Sequence, residues 1–251
     1  STFKPFVYAT AIALQGFSPC YTVDDRPWTI YADEANFGLL KDWQPNNSSG
    51  TYSYNKFTLR DALKASKNSI TAYLIKQIRD VSPVVGLIHN MGIDSTKRYA
   101  NGRYRVPRQP SIALGATDLT VFEMTGAYTT FANNGYYNRP FFVNRIEDKN
   151  GRVIFQELPD ERLALNPNAN YVMVDMLKYA ASGARNFWKL KSEVGGKTGT
   201  TNDYVDGWFM GITPSLVVGT WVGGGERWYR FRGLLYGQGA YMARPFFQRL
   251  S

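Results

Sequence analysis

Two residue types are almost missing from this 251-residue chain, which holds one cysteine, Cys20, and one histidine, His89. One cysteine cannot close an intrachain disulfide, and one Cys with one His cannot assemble a structural zinc site. A Ser-His-Asp triad would have to rest on His89 alone, and an HExxH metalloenzyme needs two histidines. No metal and no cofactor are therefore expected, and acid–base work at neutral pH falls to Lys, Glu, Asp or Tyr. Also missing is any apolar run of the roughly 18 residues that a membrane-crossing helix requires. The stretch Phe6–Leu14 is too short and is interrupted by Thr10. The opening Ser-Thr-Phe-Lys has neither the basic n-region nor the apolar h-region of a signal peptide. Cys20 reads as buried, which leaves the redox compartment open.

What is present fits a folded protein: 44% apolar, 15% aromatic and 20% charged residues. The net charge of +9 suggests an anionic neighbour such as nucleic acid, lipid head groups or an acidic polymer. Residues 5–15 read as a helix, with Pro5 in its first turn and Gly16 after its end. Residues 17–57 are turn-rich and read mostly as loop. Thr58-Leu-Arg-Asp61 opens a helix through Ala65, a second spans about 70–79, and Ser82-Pro83 starts one that Gly92 ends. Thr120-Val-Phe-Glu123 opens another that Gly135 closes. Then the period changes. Phe141–Ile146 and Val153–Gln156 read as a hairpin, and Asn166-Pro167 caps a helix to about Ala180. Three β segments follow at 193–200, 205–213 and 216–223, and a last helix at 239–250. Helices in the middle and antiparallel strands at the end indicate one mixed α/β (α+β) unit.

Three short motifs stand in order: Ser1-Thr-Phe-Lys4, Ser66-Lys-Asn68 and Lys197-Thr-Gly199. Ser1 and Lys4 are three apart at a helix start and share a face. The unpaired N–H groups there favour negative charge developing on the serine. An amine can take the serine proton only when neutral, whereas an ordinary lysine, with a pKa of about 10.4, is charged at pH 7. Burial and a second cation such as Lys197 would lower that value. Lys-Thr-Gly on a strand offers a charge, a hydroxyl and a glycine that lets a ligand approach the backbone. The first two patterns are weak alone, since Ser53-Tyr-Asn-Lys56 satisfies both. Ser53 precedes the Thr58 cap in a tyrosine-rich loop and opens no helix, so it is set aside.

With these residues, the chain resembles the transpeptidase domain of class A penicillin-binding proteins. The likeness runs through Thr58-Leu-Arg-Asp-Ala-Leu-Lys-Ala-Ser-Lys-Asn68, Ser111-Ile-Ala-Leu-Gly-Ala116 and Ala127-Tyr-Thr-Thr-Phe-Ala-Asn-Asn-Gly135. It continues in Gly196-Lys-Thr-Gly-Thr-Thr-Asn-Asp203, Trp208-Phe-Met-Gly-Ile-Thr-Pro214, Gly219-Thr-Trp-Val-Gly223 and Gly237-Gln-Gly239, so it covers nearly all of residues 1–251. The resemblance implies a five-stranded antiparallel sheet flanked by helices, with the site between sheet and helices. It implies that Ser1 attacks the D-Ala-D-Ala amide of a peptidoglycan stem peptide, with Lys4 as base and Ser66 relaying a proton to the leaving amine. Asn68 would hold the substrate amide, and Lys197, Thr198 and Thr200 would receive its carboxylate beside Gly199. The N–H groups of Ser1 and Thr200 would form an oxyanion hole. β-Lactams would acylate Ser1, cell-wall synthesis proteins would be partners, and the site of action would be the extracytoplasmic face of the bacterial cytoplasmic membrane. A chain that truly began at Ser1 would have an ammonium there in place of an amide donor. A piece of a longer protein is thus expected, with a glycosyltransferase domain and membrane anchor upstream.

Other readings stand beside this one. A D,D-carboxypeptidase or a β-lactam sensor would share the fold. An N-terminal nucleophile hydrolase would use the Ser1 amine as base, but leaves Ser66-Lys-Asn68 and Lys197-Thr-Gly199 unexplained. Lys97–Arg108 interleaves five basic residues with two tyrosines. That pattern can bind single strands, but no nucleic-acid module surrounds it and it reads as a surface loop. His89 reads as packed or capping. Glu161-Arg-Leu-Ala-Leu-Asn166 loosely matches the deacylating Glu-x-x-Leu-Asn of class A β-lactamases with one residue too many, and Asn166 reads instead as a helix cap.

Overall fold

The computed structural model describes residues 1–184, 191–201, 204–226 and 228–250. Its centre is a helix that meets solvent only in its last turn. Helix α1 (Lys4–Gln15) carries Pro5 in its first turn and ends on Gly16, whose φ of 67° is the left-handed conformation that glycine adopts freely. Every residue from Lys4 to Ile12 is buried, with the hydroxyl of Thr10 satisfied by the Phe6 carbonyl at 2.8 Å. The segment expected to be loop contains a short antiparallel pair, β1 (Thr22–Asp24) with β2 (Lys56–Thr58). Cys20 lies in the turn before β1 and is exposed, not buried, because Ser18-Pro19 carries the chain over the surface there.

Helix α2 (Leu59–Lys64) starts where Thr58 Oγ1 accepts the Asp61 N–H. Helices α3 (Asn68–Ile78) and α4 (Ser82–Asn90) follow. Helix α5 (Val121–Ala132) has a complete capping box between Thr120 and Glu123. Next, β3 (Tyr136–Asn138) pairs with β6 (Glu161–Leu163), and β4 (Arg145–Glu147) with β5 (Val153–Gln156). The expected strand from Phe141 is shorter than predicted. Its partner β5 offers only four residues, and Phe142 stacks on Phe122 instead. Helix α6 (Pro167–Ala181) is capped by Asn166, which accepts the Ala169 N–H at 2.8 Å. Helices α3, α4 and α6 all pack on α1.

Strands β7 (Gly195–Thr200), β8 (Asp206–Ile212) and β9 (Val217–Gly223) form an antiparallel sheet in that order. The expected five strands are not seen. Three form the main sheet among the described residues, matching the three β segments that alternation in the sequence supports; the number five came only from resemblance. The period-2 pattern gives each face its own partner. Met210 and Ile212 belong to the core built on α1, while Phe209 packs with Ala243 and Phe247 on the other side. That outer layer consists of α7 (Leu234–Gly237), α8 (Gly239–Met242) and α9 (Arg244–Leu250). One continuous helix was expected over 239–250. Pro245 has no N–H to continue the α8 ladder, so a new helix begins at Arg244.

Candidate active site

The start of α1 is held from several sides. Tyr128 Oη donates to the Thr2 carbonyl at 2.6 Å, and Phe3, Phe6, Tyr128 and Phe131 form an aromatic cluster beneath it. Gly199 of β7 lies directly against this turn: a Cβ there would sit 3.1 Å from Thr2 Cγ2 and 3.3 Å from Thr2 N. Ser1 is thereby fixed between α1 and the edge of the sheet, with its carbonyl accepting the Lys4 N–H.

Lys4 and Lys197 are only 1% and 3% exposed, a rare condition for lysine. Lys4 Nζ donates to the Ser66 carbonyl at 2.5 Å and to Asn68 Oδ1 at 2.6 Å, and lies 3.2 Å from Ser66 Oγ. Lys197 Nζ reaches the same Ser66 Oγ at 3.1 Å and the Thr198 carbonyl at 2.9 Å. No carboxylate bonds either ammonium among these contacts. Burial first, and then the Lys197 charge, push Lys4 well below the ordinary lysine value. Burial alone lowers Lys197 to about 8. At pH 7 the charge therefore stays mainly on Lys197, and Lys4 is the amine driven toward neutrality. A neutral amine has two N–H bonds and one lone pair. Two acceptors that cannot donate, the Ser66 carbonyl and Asn68 Oδ1, use up both N–H bonds and leave the lone pair as a base.

Ser66 has a φ of 55°, a left-handed conformation that costs a residue with a Cβ about 1–2 kcal/mol. The tight turn between α2 and α3 imposes it, with Ser66 N–H on the Leu63 carbonyl and Lys67 N–H on the Ala62 carbonyl. Such strain persists only where neighbours over-determine it. Asn68, expected just ahead of a helix, is the first residue of α3.

Pairing with β8 splits the Lys-Thr-Gly strand between two faces. Lys197 lies opposite Met210 and Gly199 opposite Trp208, so both face the helical body. Thr198 lies opposite Phe209 and Thr200 opposite Gly207, so both face the C-terminal helices. Thr200 Oγ1 accepts the Gly239 N–H at 3.1 Å, which leaves its own hydroxyl proton free to donate. Thr201 N–H donates to the Asp206 carbonyl, so by ladder alternation the Thr200 N–H points away from β8, along the free edge. Ser1, Lys4, Ser66, Asn68, Lys197 and Gly199 thus meet at one junction of α1, the α2–α3 turn and β7, whereas the Thr198 and Thr200 side chains, expected to receive a carboxylate there, lie on the other face of the strand.

The other candidates lie apart from these bonds. His89 is exposed in the last turn of α4, with Nδ1 3.2 Å from Ser95 Oγ. Glu161 Oε1 accepts from Asn133 and Asn138. In the basic stretch, Arg98 and Arg108 lie over Tyr104, 3.7 and 4.8 Å from its ring centroid, and Arg105 pairs with Glu123. Sequence reasoning missed Asp25 and Asn47, which hold the residues after Ser66 from a segment read as loop. In a stretch of turns, Asp and Asn carry no signal that separates a hub from a turn.

Comparison with known proteins points one way. The family model described as the penicillin binding protein transpeptidase domain matches residues 1–223. Penicillin-binding protein 1A of Aquifex aeolicus (strain VF5) is 34% identical over 225 residues, covering 89% of this chain and 29% of that protein. Penicillin-binding protein 1A of Neisseria cinerea is 33% identical over 231 residues, covering 89% and 27%. The structure of PonA1 from Mycobacterium tuberculosis in complex with penicillin V aligns with a TM-score of 0.78 at 26% identity, over 96% of this chain and 65% of that one. The chain thus spans under a third of the curated relatives it matches.

Proposed function

Because this chain belongs to the penicillin-binding protein transpeptidase family, we propose that it is the D,D-transpeptidase unit of a peptidoglycan synthase, working through an acyl-enzyme on Ser1. The observation that supports this most is the buried Lys4 amine, which has no carboxylate partner in its hydrogen bonds and both of its N–H bonds engaged. Ser1 Oγ attacks the carbonyl carbon of the penultimate D-Ala of a stem peptide while its proton passes to Lys4. The new C–O bond forms as the carbonyl π pair moves onto oxygen, where the Thr200 N–H stabilises it; one such donor contributes about 2.7–4 kcal/mol. The C–N bond to the terminal D-Ala then breaks, and Ser66 passes a proton to the departing amine from the lysines on either side of it. An amine of a second stem peptide attacks the ester, forming the cross-link and returning the proton to Ser1. Asn68 holds the substrate amide, and the terminal carboxylate is received along the free edge of β7 under the field of Lys197.

Action on the extracytoplasmic face of the cytoplasmic membrane, and association with other cell-wall synthesis proteins, belong to the same proposal. A β-lactam mimics the D-Ala-D-Ala end and acylates Ser1. Intact mass after incubation with a penicillin tests the reading: a one-to-one adduct is expected on the wild type and none on Ser1→Ala. No adduct on the wild type, or an equal adduct on the variant, would overturn it. The adduct should accumulate, since Asn166 is used as the α6 cap and Glu161 is held by two asparagines. Release of D-alanine with incorporation of an added amine, rather than of water, separates transpeptidase from carboxypeptidase.

A further inference from the structure

Asp25 is fully buried, yet it touches none of the atoms assigned to the reaction. Its Oδ1 accepts from Asn47 Nδ2 at 2.7 Å and Ser69 Oγ at 2.6 Å. Its Oδ2 accepts from Lys67 Nζ at 2.7 Å, Ser53 Oγ at 2.8 Å and Ser53 N at 3.0 Å. Burial alone would raise this carboxyl; the bonds from Lys67, Ser69, Ser53 and Asn47 overcome it and hold the group well below the usual carboxylate range. Asn47 extends the hub. Its Oδ1 accepts the Asn68 N–H at 2.9 Å and the Ser69 N–H at 3.2 Å, the first two donors of α3. Lys67, the N-cap residue of α3, provides no side-chain cap, so a segment about twenty residues upstream caps that helix. Next to it, the Asn46 carbonyl accepts Asn68 Nδ2 at 2.8 Å, which turns Oδ1 of the same amide toward Lys4.

The three residues that follow strained Ser66 are therefore each clamped by the 25–53 segment: Lys67 by its ammonium, Asn68 by its N–H and amide, Ser69 by its N–H and hydroxyl. The two acceptors that orient Lys4 belong to Ser66 and Asn68, inside the clamped turn. We propose that Asp25 and Asn47 are positioning residues for acylation, fixing the left-handed Ser66 turn and the Asn68 amide so that the Lys4 lone pair is directed at Ser1. This rests on the acyl-enzyme reading above. Ser53, whose local pattern imitates the nucleophile motif, serves in this hub.

The test is the time course of acylation by a saturating chromogenic β-lactam, which gives a rate constant and the fraction of protein that reacts. Asp25→Asn and Asn47→Ala should react to full occupancy with a rate constant lowered roughly ten- to hundredfold, as misplacement of reacting groups costs. Ser69→Ala, which removes one hydroxyl, should show a smaller fall of the same kind. A rate constant unchanged within twofold, with or without a reduced reacting fraction, would leave the hub a mere stability element and overturn the proposal. Should Asp25→Asn fail to fold, Asn47→Ala and Ser69→Ala decide by the same criterion. Absence of reaction in the wild type would instead refute the acyl-enzyme reading, so the two failures are distinct.

Discussion

Lys4 and Lys197 meet on a single oxygen: their Nζ atoms lie 3.2 and 3.1 Å from Ser66 Oγ. The two lysines come from the first helix and a strand almost two hundred residues later, and a serine in a left-handed turn joins them. Lys197 at about 8 keeps its proton at pH 7 and donates to Ser66 Oγ, which leaves the Ser66 hydrogen free for a departing amine and the Lys4 lone pair free for Ser1.

Acylation by a β-lactam should consequently fall as pH rises through about 8, where Lys197 loses the proton that polarises Ser66. The acid limb, set by Lys4, should lie well below the ordinary lysine value. Acylation rate constants measured from pH 5 to 10 would show this alkaline limb in the wild type and lose it in Lys197→Met. A wild-type rate still climbing at pH 10 would remove Lys197 from the relay.

Stability should respond to the same group with the opposite sense. In the unfolded chain Lys197 titrates at 10.5 and in the folded one at about 8. Between those values the unfolded state holds the extra proton, so raising pH favours folding by about 1.4 kcal/mol per unit for one such group. The unfolding free energy of the wild type, minus that of Lys197→Met, should therefore rise from pH 8 to 9.5 in urea titrations. A flat difference would mean that Lys197 is not desolvated.

Gly199→Ala should lower acylation by roughly tenfold or more, through displacement of the nucleophile. The added carbon meets Thr2 at 3.1 Å from Cγ2 and 3.3 Å from the backbone N, and the Thr2 carbonyl is tied to Tyr128. Thr2→Ser removes the methyl group on the other side of that contact and should restore part of the lost rate in the double variant. Equal rates in Gly199→Ala and the wild type would show that the turn has slack.

At Ser66 the hydroxyl and the backbone can be separated. Both Ser66→Ala and Ser66→Gly remove the relay and should lose about 10²–10⁴ in acylation rate. Only the alanine retains the cost of φ 55°, so Ser66→Gly should be the more stable variant by roughly 1 kcal/mol in urea unfolding. Reversed stabilities would place the strain elsewhere.

The sequence displayed these helices through their ends. Thr58, Thr120 and Asn166 each cap the helix they announce, because a cap is a contact between residues three apart. It displayed the sheet through alternation, and the lysine pair through motif order. Asp25 was illegible for the converse reason: its partners Asn47, Ser53, Lys67 and Ser69 lie 22, 28, 42 and 44 residues away, and no local period links them. Fold-level likeness promised five strands, and the residues promised three. Among the described residues, the main sheet has the number the residues promised.

The buried course of α1 from Lys4 to Ile12 constrains how this protein can vary. With no water-facing position beside the nucleophile, any change of side-chain volume there displaces Ser1 along with its surroundings. Variation that leaves Ser1 in place must enter instead at exposed positions such as Thr201, just past the end of β7, where a new side chain can be tried without rebuilding the interior.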